Sequence, residues 1–170
     1  LQRRVNIANQ VNADLFISVH ANASRMRSVN GFEVYYLAKD FDDTTRALST
    51  ANSLSPDVKG LDSSLCSLPI KATLWDIIFT QNRAESIDIA RTVCKQANRD
   101  LGLRVLGVKG AHFYVLKGTQ MPAVLIEVGF ISHPEQEKFF ANGFYRQQIA
   151  QAIAKGIIDY CTGLEVAKGY

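Results

Sequence analysis

Cysteine is scarce in this chain of 170 residues and poorly placed for metal work: Cys66, Cys94 and Cys161 are far apart, odd in number and in no ligand-type spacing. A zinc–thiolate site is therefore not expected. Free thiols are the simple reading, with one disulfide as the alternative. No apolar run approaches the ~20 residues a helix needs to cross a bilayer, so no transmembrane segment is expected. Charge of one sign is also lacking, with 19 Lys and Arg against 16 Asp and Glu and a net charge of +3. The basic residues form no stripe interleaved with aromatics, which argues against nucleic acid as a partner. No Gly-x-Ser-x-Gly turn is present, and this counts against a serine hydrolase built on that elbow. Leu1–Asn9 carries two arginines but no apolar segment after them, so it does not read as a signal peptide. Leu1, Val5 and Ala8 recur at helical spacing with neither a Met nor a cap before them. The expectation is a helix belonging to something longer.

What is present suits one folded domain with a sizeable core: 47% of the residues are hydrophobic and 21% charged. Leu15-Phe16-Ile17-Ser18-Val19-His20 reads as a buried strand, and Gly31–Leu37, aromatic and β-branched, as a second. Helical spacing runs from Asp42 to Leu54, with Asp42 or Asp43 as its cap. Ser55–Pro69 has loop composition. Leu74 to about Leu101 carries a long helical pattern. Two short strands are expected at Leu103–Val108 and His112–Leu116. Pro122–Phe130 has the continuous apolar core of a central strand. Ser132-His133-Pro134-Glu135 has capping-box form and predicts a helix to about Ala141. A last helix is expected from Phe144 to about Tyr160, with a frayed end from Cys161 to Tyr170. Strands alternating with helices predict an α/β layer sandwich.

Two residues stand out chemically. His20 sits at the C-terminal mouth of the first strand, where open α/β sheets gather ligands and catalytic groups. It reads as a metal ligand or general base, or as a core histidine satisfied by one hydrogen bond, and the strand alone leaves both open. Glu127 is an ionisable residue inside an otherwise apolar strand. Such a carboxylate is ion-paired with a Lys or Arg, metal-bound, or held with a raised pKa as a general acid/base. Both lie near the ends of strands expected to run parallel, so they can face one cleft, an arrangement suited to metal-assisted hydrolysis. His112 and His133 read as surface or hydrogen-bonded residues, and Glu33 as a residue placed opposite the aromatics by alternation. Trp75-Asp76 reads as packing plus a charge at a helix start. Asn22 either turns the chain or contacts substrate.

Five blocks then occur in order: Leu15–Asn22, Gly31–Leu37, Leu74-Trp75-Asp76, Gly107-Val108-Lys109 with Phe113–Leu116, and Met121–Ser132. Together they resemble the zinc-dependent N-acetylmuramoyl-L-alanine amidases of the amidase 3 type, over Leu1 to about Tyr160. The resemblance implies an α/β fold with a mixed, mostly parallel β-sheet flanked by helices, a zinc-exopeptidase-like layer sandwich. It places residues 1–162 in the C-terminal part of the catalytic domain, with 163–170 as a tail. It also implies cleavage of the bond between N-acetylmuramic acid and L-alanine, by a zinc-activated water with Glu127 as general base and acid and His20 as a metal ligand. Peptidoglycan, as intact wall or muropeptide, is the implied substrate, and an activator protein is admitted as a partner. The implied location is the cell envelope, periplasmic or extracellular.

The family's other two zinc ligands precede the matched region, and this chain contains neither. The expectation is thus one ligand of three. A truncated, non-catalytic peptidoglycan-binding module is the alternative. His133 stands where relatives commonly carry Asn. Asp40–Lys71, where some relatives insert an inhibitory helix, reads as a substrate-proximal loop.

Overall fold

A computed structural model describes residues 1–39 and 43–168, with side chains to residue 163. The elements in chain order are α1 (Gln2–Gln10), β1 (Phe16–Asn22), β2 (Phe32–Leu37), α2 (Asp43–Ser53), α3 (Leu68–Leu101), β3 (Val105–Ala111), β4 (Ala123–Phe130), α4 (Pro134–Ala141) and α5 (Gly143–Lys168). The strands form one mixed sheet in the order β1-β4-β2-β3. The β1–β4 and β2–β3 pairs are parallel, and β2–β4 is antiparallel. The mixed α/β sandwich expected from the sequence is the fold observed.

β4 lies between two neighbours and is buried at all eight positions, which is why its sequence is an unbroken apolar run around Glu127. Residues paired across a sheet share a face. On one face Phe32 and Val34 of β2 and Val124, Ile126 and Val128 of β4 pack against Ile89, Ala90 and Val93 of α3 and Ile149 and Ile153 of α5. The opposite face carries Leu125, Ala123 and Phe16, covered by Val115 and Leu116. Beyond that apolar patch the face turns polar.

α3 is the spine of the molecule. Its first part packs Trp75 and Phe79 on Ala47 and Ala51 of α2, and its second part crosses the sheet. Its contact with α5 is close at Gly156, where an added Cβ would lie 2.7 Å from the Val93 Cα. A backbone atom cannot move aside as a side-chain tip can. Gly156→Ala is therefore expected to destabilise the fold by about 1–3 kcal/mol, despite the gain of up to ~1 kcal/mol in helix propensity. Urea denaturation checks this, and a stability equal to or above that of the parent would refute it.

Several local expectations are corrected. α3 begins at Leu68, with Pro69 in its first turn, rather than at Leu74. Asp76 is consequently a helix-interior residue and no dipole charge, while Trp75 is buried and donates from its indole to the Leu54 carbonyl at 3.2 Å. The strand expected at His112–Leu116 is instead a turn, with the amides of Leu116 and Lys117 both donating to the Phe113 carbonyl. Period-2 alternation over so short a stretch could not distinguish the two. The capping box does not form: His133 is the N-cap of α4 with no side-chain cap bond, and the Ser132 hydroxyl accepts from the Ser24 amide. α5 continues past Tyr160 to Lys168. Asp42, one of the two capping candidates for α2, lies outside the described residues.

Candidate active site

The site is built by strand register. His20 on β1 is paired with Glu127 on β4, and Glu127 is paired on its other side with Glu33 on β2. The three side chains form a row across the polar face, so His20 and Glu127 are brought together. Gly129, two residues past Glu127, adopts φ +153°, and a Cβ there would approach the Phe140 ring at 2.7 Å. Phe140 and Gln136 press on that glycine, and the Gln136 amide oxygen accepts from the Phe130 N–H at 2.7 Å. The end of β4 is thereby locked to the residues that follow it.

Ser18, one strand repeat before His20, shares a 2.8 Å hydrogen bond with its Nε2 and fixes the ring. The structure places Glu33, read from the sequence as a bystander, at the centre of this chemistry. It is 2% exposed, receives a hydrogen bond from Asn22 Nδ2 at 3.0 Å, and is ion-paired to Lys109 Nζ at 2.5 Å. The ion pair offered as an alternative for Glu127 thus belongs to Glu33. Asn22, left open between a turn and a contact role, orients Glu33. The legible signal was a second carboxylate in an aromatic strand, but the partner Lys109 lies 76 residues away and no local pattern joins them.

Glu127 contrasts with its neighbour. Its Oε2 is buried without a hydrogen-bond partner. Burial first, and the adjacent Glu33 charge second, push its pKa up to about 7. Tyr35, on the same face, is pushed to about 12 by burial, with Glu33 adding to the shift. Its ring meets Phe113 edge-on at 4.9 Å and closes the apolar side of the row. His112 is exposed in the turn that follows β3, and His133 shares a 3.3 Å hydrogen bond with Asn30; neither lies in the row.

Ser18 engages His20 Nε2, Asn22 and Lys109 engage both Glu33 oxygens, and Glu127 Oε2 is buried without a partner. Among the described residues no three His, Cys, Asp or Glu side chains could together hold a metal ion. These residues do not enclose a zinc by themselves.

Fold and row together define a layered α/β protein with an unpaired carboxylate oxygen on the polar face of its sheet. The N-acetylmuramoyl-L-alanine amidase family, Amidase_3, matches residues 1–159, and the chain belongs to that family. N-acetylmuramoyl-L-alanine amidase AmiA of Escherichia coli K12 is 31% identical over 162 residues, covering 94% of this chain and 56% of the relative. Among solved structures, the amidase AmiC2 of Nostoc punctiforme superposes with TM-score 0.63 at 28% identity, over 95% of this chain and 66% of that one. The CwlD amidase from Clostridioides difficile, in complex with the GerS lipoprotein, shares the fold with TM-score 0.66 at 21% identity, over 95% and 61%. This chain therefore spans little more than half the length of the E. coli relative. No helix among the described residues is long and apolar enough to cross a membrane.

Proposed function

We propose that the protein carrying this chain hydrolyses the amide bond between N-acetylmuramic acid and L-alanine in peptidoglycan, with Glu127 as general base and then general acid. One observation carries the reading: a buried carboxylate oxygen with no partner, in register with His20 on the polar face of the sheet. A pKa of about 7 lets one carboxylate accept a proton from the attacking water and return it to the departing amine at neutral pH. Glu33, with both oxygens engaged by Asn22 and Lys109, sits beside Glu127, and its charge adds to the proton affinity of Glu127. Ser18 holds the His20 ring.

Zinc is the cofactor that the resemblance implies; bound, it would polarise the scissile carbonyl, and His20 is the ligand this chain is proposed to offer. The cell envelope is the proposed location, because peptidoglycan lies there. An activator protein is part of the same proposal.

The second reading, carried over from the sequence, is a peptidoglycan-binding module without activity. Digestion of muropeptides by the full-length protein, with and without added zinc, separates the two. An amidase releases peptides with a new alanine amino terminus, whereas a binding module retains affinity and yields no product. In the same preparations His20→Ala is expected to lower the zinc content, and an unchanged stoichiometry would remove His20 as a ligand.

A further inference from the structure

Lys109 brings a positive charge to the polar face from β3, two strands away from Glu127. In the β2–β3 register it lies opposite Tyr35, while the residue opposite Glu33 is Gly107. Gly107 has no side chain, and a Cβ placed there would meet nothing within 4 Å. Room is thereby left for the Lys109 chain to lean back along the sheet. Its Nζ reaches Glu33 Oε2 at 2.5 Å and lies 5.8 Å from the Tyr35 ring centroid, within cation–π range. The other Glu33 oxygen accepts from Asn22 Nδ2 at 3.0 Å. Asn22 stands on β1, past the register shift that follows His20. Lys109, Glu33 and Asn22 therefore form a chain of contacts that spans all four strands, from β3 to β1.

The two ends of the ion pair differ in solvation: the Glu33 side chain is 3% exposed and that of Lys109 44%. A Lys109 without Glu33 is a cation in water, whereas a Glu33 without Lys109 is an uncompensated buried anion. Asn22 and Tyr35 also bear on Glu33, but an amide and a phenol carry no charge to balance it. Glu127 is the cross-strand partner of Glu33, in the position where Cβ atoms lie roughly 5 Å apart, and its Oε2 is buried without a partner. A Glu33 turned toward that oxygen would be satisfied by sharing one proton with it, as two close carboxylates do. A Glu127 engaged in this way is withdrawn from water and substrate.

We infer that Lys109 is a positioning residue of the candidate site: its ammonium holds Glu33 on Asn22 and thereby keeps Glu127 free to work on substrate. The inference rests on the amidase reading, which gives Glu127 its task.

Steady-state kinetics of the full-length protein on a defined muramoyl-peptide, with zinc content measured on the same samples, tests it. Lys109→Met is expected to lower kcat by about tenfold or more with KM and zinc content little changed, because it removes no binding surface and no ligand. Lys109→Arg keeps the charge and should stay within about threefold of the parent. The decisive variant adds Glu33→Gln to Lys109→Met: with no anion left to hold, turnover should rise again above that of Lys109→Met. A merely structural lysine would not be rescued in this way. Where Lys109→Met alone fails to fold, the comparison of Glu33→Gln with the double variant carries the test, and the two should turn over alike. A tenfold loss on removing Lys109 from the Glu33→Gln protein overturns the inference. So does a Lys109→Met enzyme as active as the parent, a defect confined to KM, or a loss of zinc. A parent that releases no product defeats the amidase reading and this inference together, whereas an active parent matched by Lys109→Met defeats the inference alone.

Discussion

Glu127→Gln is expected to lower muropeptide turnover by on the order of 10²–10⁴-fold, the usual contribution of a positioned general acid/base. Gln matches Glu in shape and fits the same fully buried strand, so the fold should persist. What disappears is the ability to take a proton from water and hand it to the leaving amine. KM should change little, because the substitution removes a proton-transfer group and no binding surface. Steady-state kinetics on a defined muramoyl-peptide, with metal content measured on the same samples, is the check. Activity within tenfold of the parent would end the general-base assignment. Loss of metal together with activity would recast Glu127 as a ligand.

The second large effect is a pH-dependent stability written into the same carboxylate. Glu127 titrates at about 7 in the fold against 4.5 in the reference state, because burial and the Glu33 charge both disfavour the anion. A raised carboxyl pKa means the folded state holds its proton longer than the unfolded one. The associated stability is therefore complete below about pH 4.5 and is lost as pH rises through about 7. A shift of this size corresponds to about 3 kcal/mol at most, less what solvent screens at the open face.

Glu127→Gln cannot ionise, so it should match the parent near pH 4 and exceed its stability at pH 8. Taking the difference between the two proteins cancels the other carboxylates, among them Asp100, whose pKa Arg99 and Lys155 lower. Chemical denaturation across that pH range is the measurement. A variant no more stable than the parent at pH 8 would show that Glu127 carries no raised pKa. Glu33→Gln should reproduce only part of the effect, because burial of Glu127, the larger cause, remains.

Much of the fold was legible because its signals are local. The unbroken apolar run of β4, the aromatic and β-branched β2, and the helical periodicity of α3 and α5 each follow from which faces are buried. Two local patterns were overridden or ambiguous. Ser132 had the form of a cap, but its hydroxyl is engaged by Ser24, 108 residues away in the chain. The alternation at 112–116 is that of a turn covering Leu125, and a turn and a short strand carry the same pattern there.

The site divides along the same line. Glu127 announced itself as a charge within an apolar strand, and His20 as an imidazole near a strand end. Their pairing needed the register of β1 against β4, a long-range property.

By itself the sequence determined the α/β class, the central strand and the family resemblance, since periodicity and ordered motifs are properties of the chain alone. Only the tertiary structure decided which carboxylate is paired and which is left poised. Glu33 and Glu127 look alike in sequence, but Lys109 and Asn22 reach Glu33 from other strands while burial leaves Glu127 Oε2 without a partner. Proton affinity depends on such neighbours, and neighbours are fixed by packing.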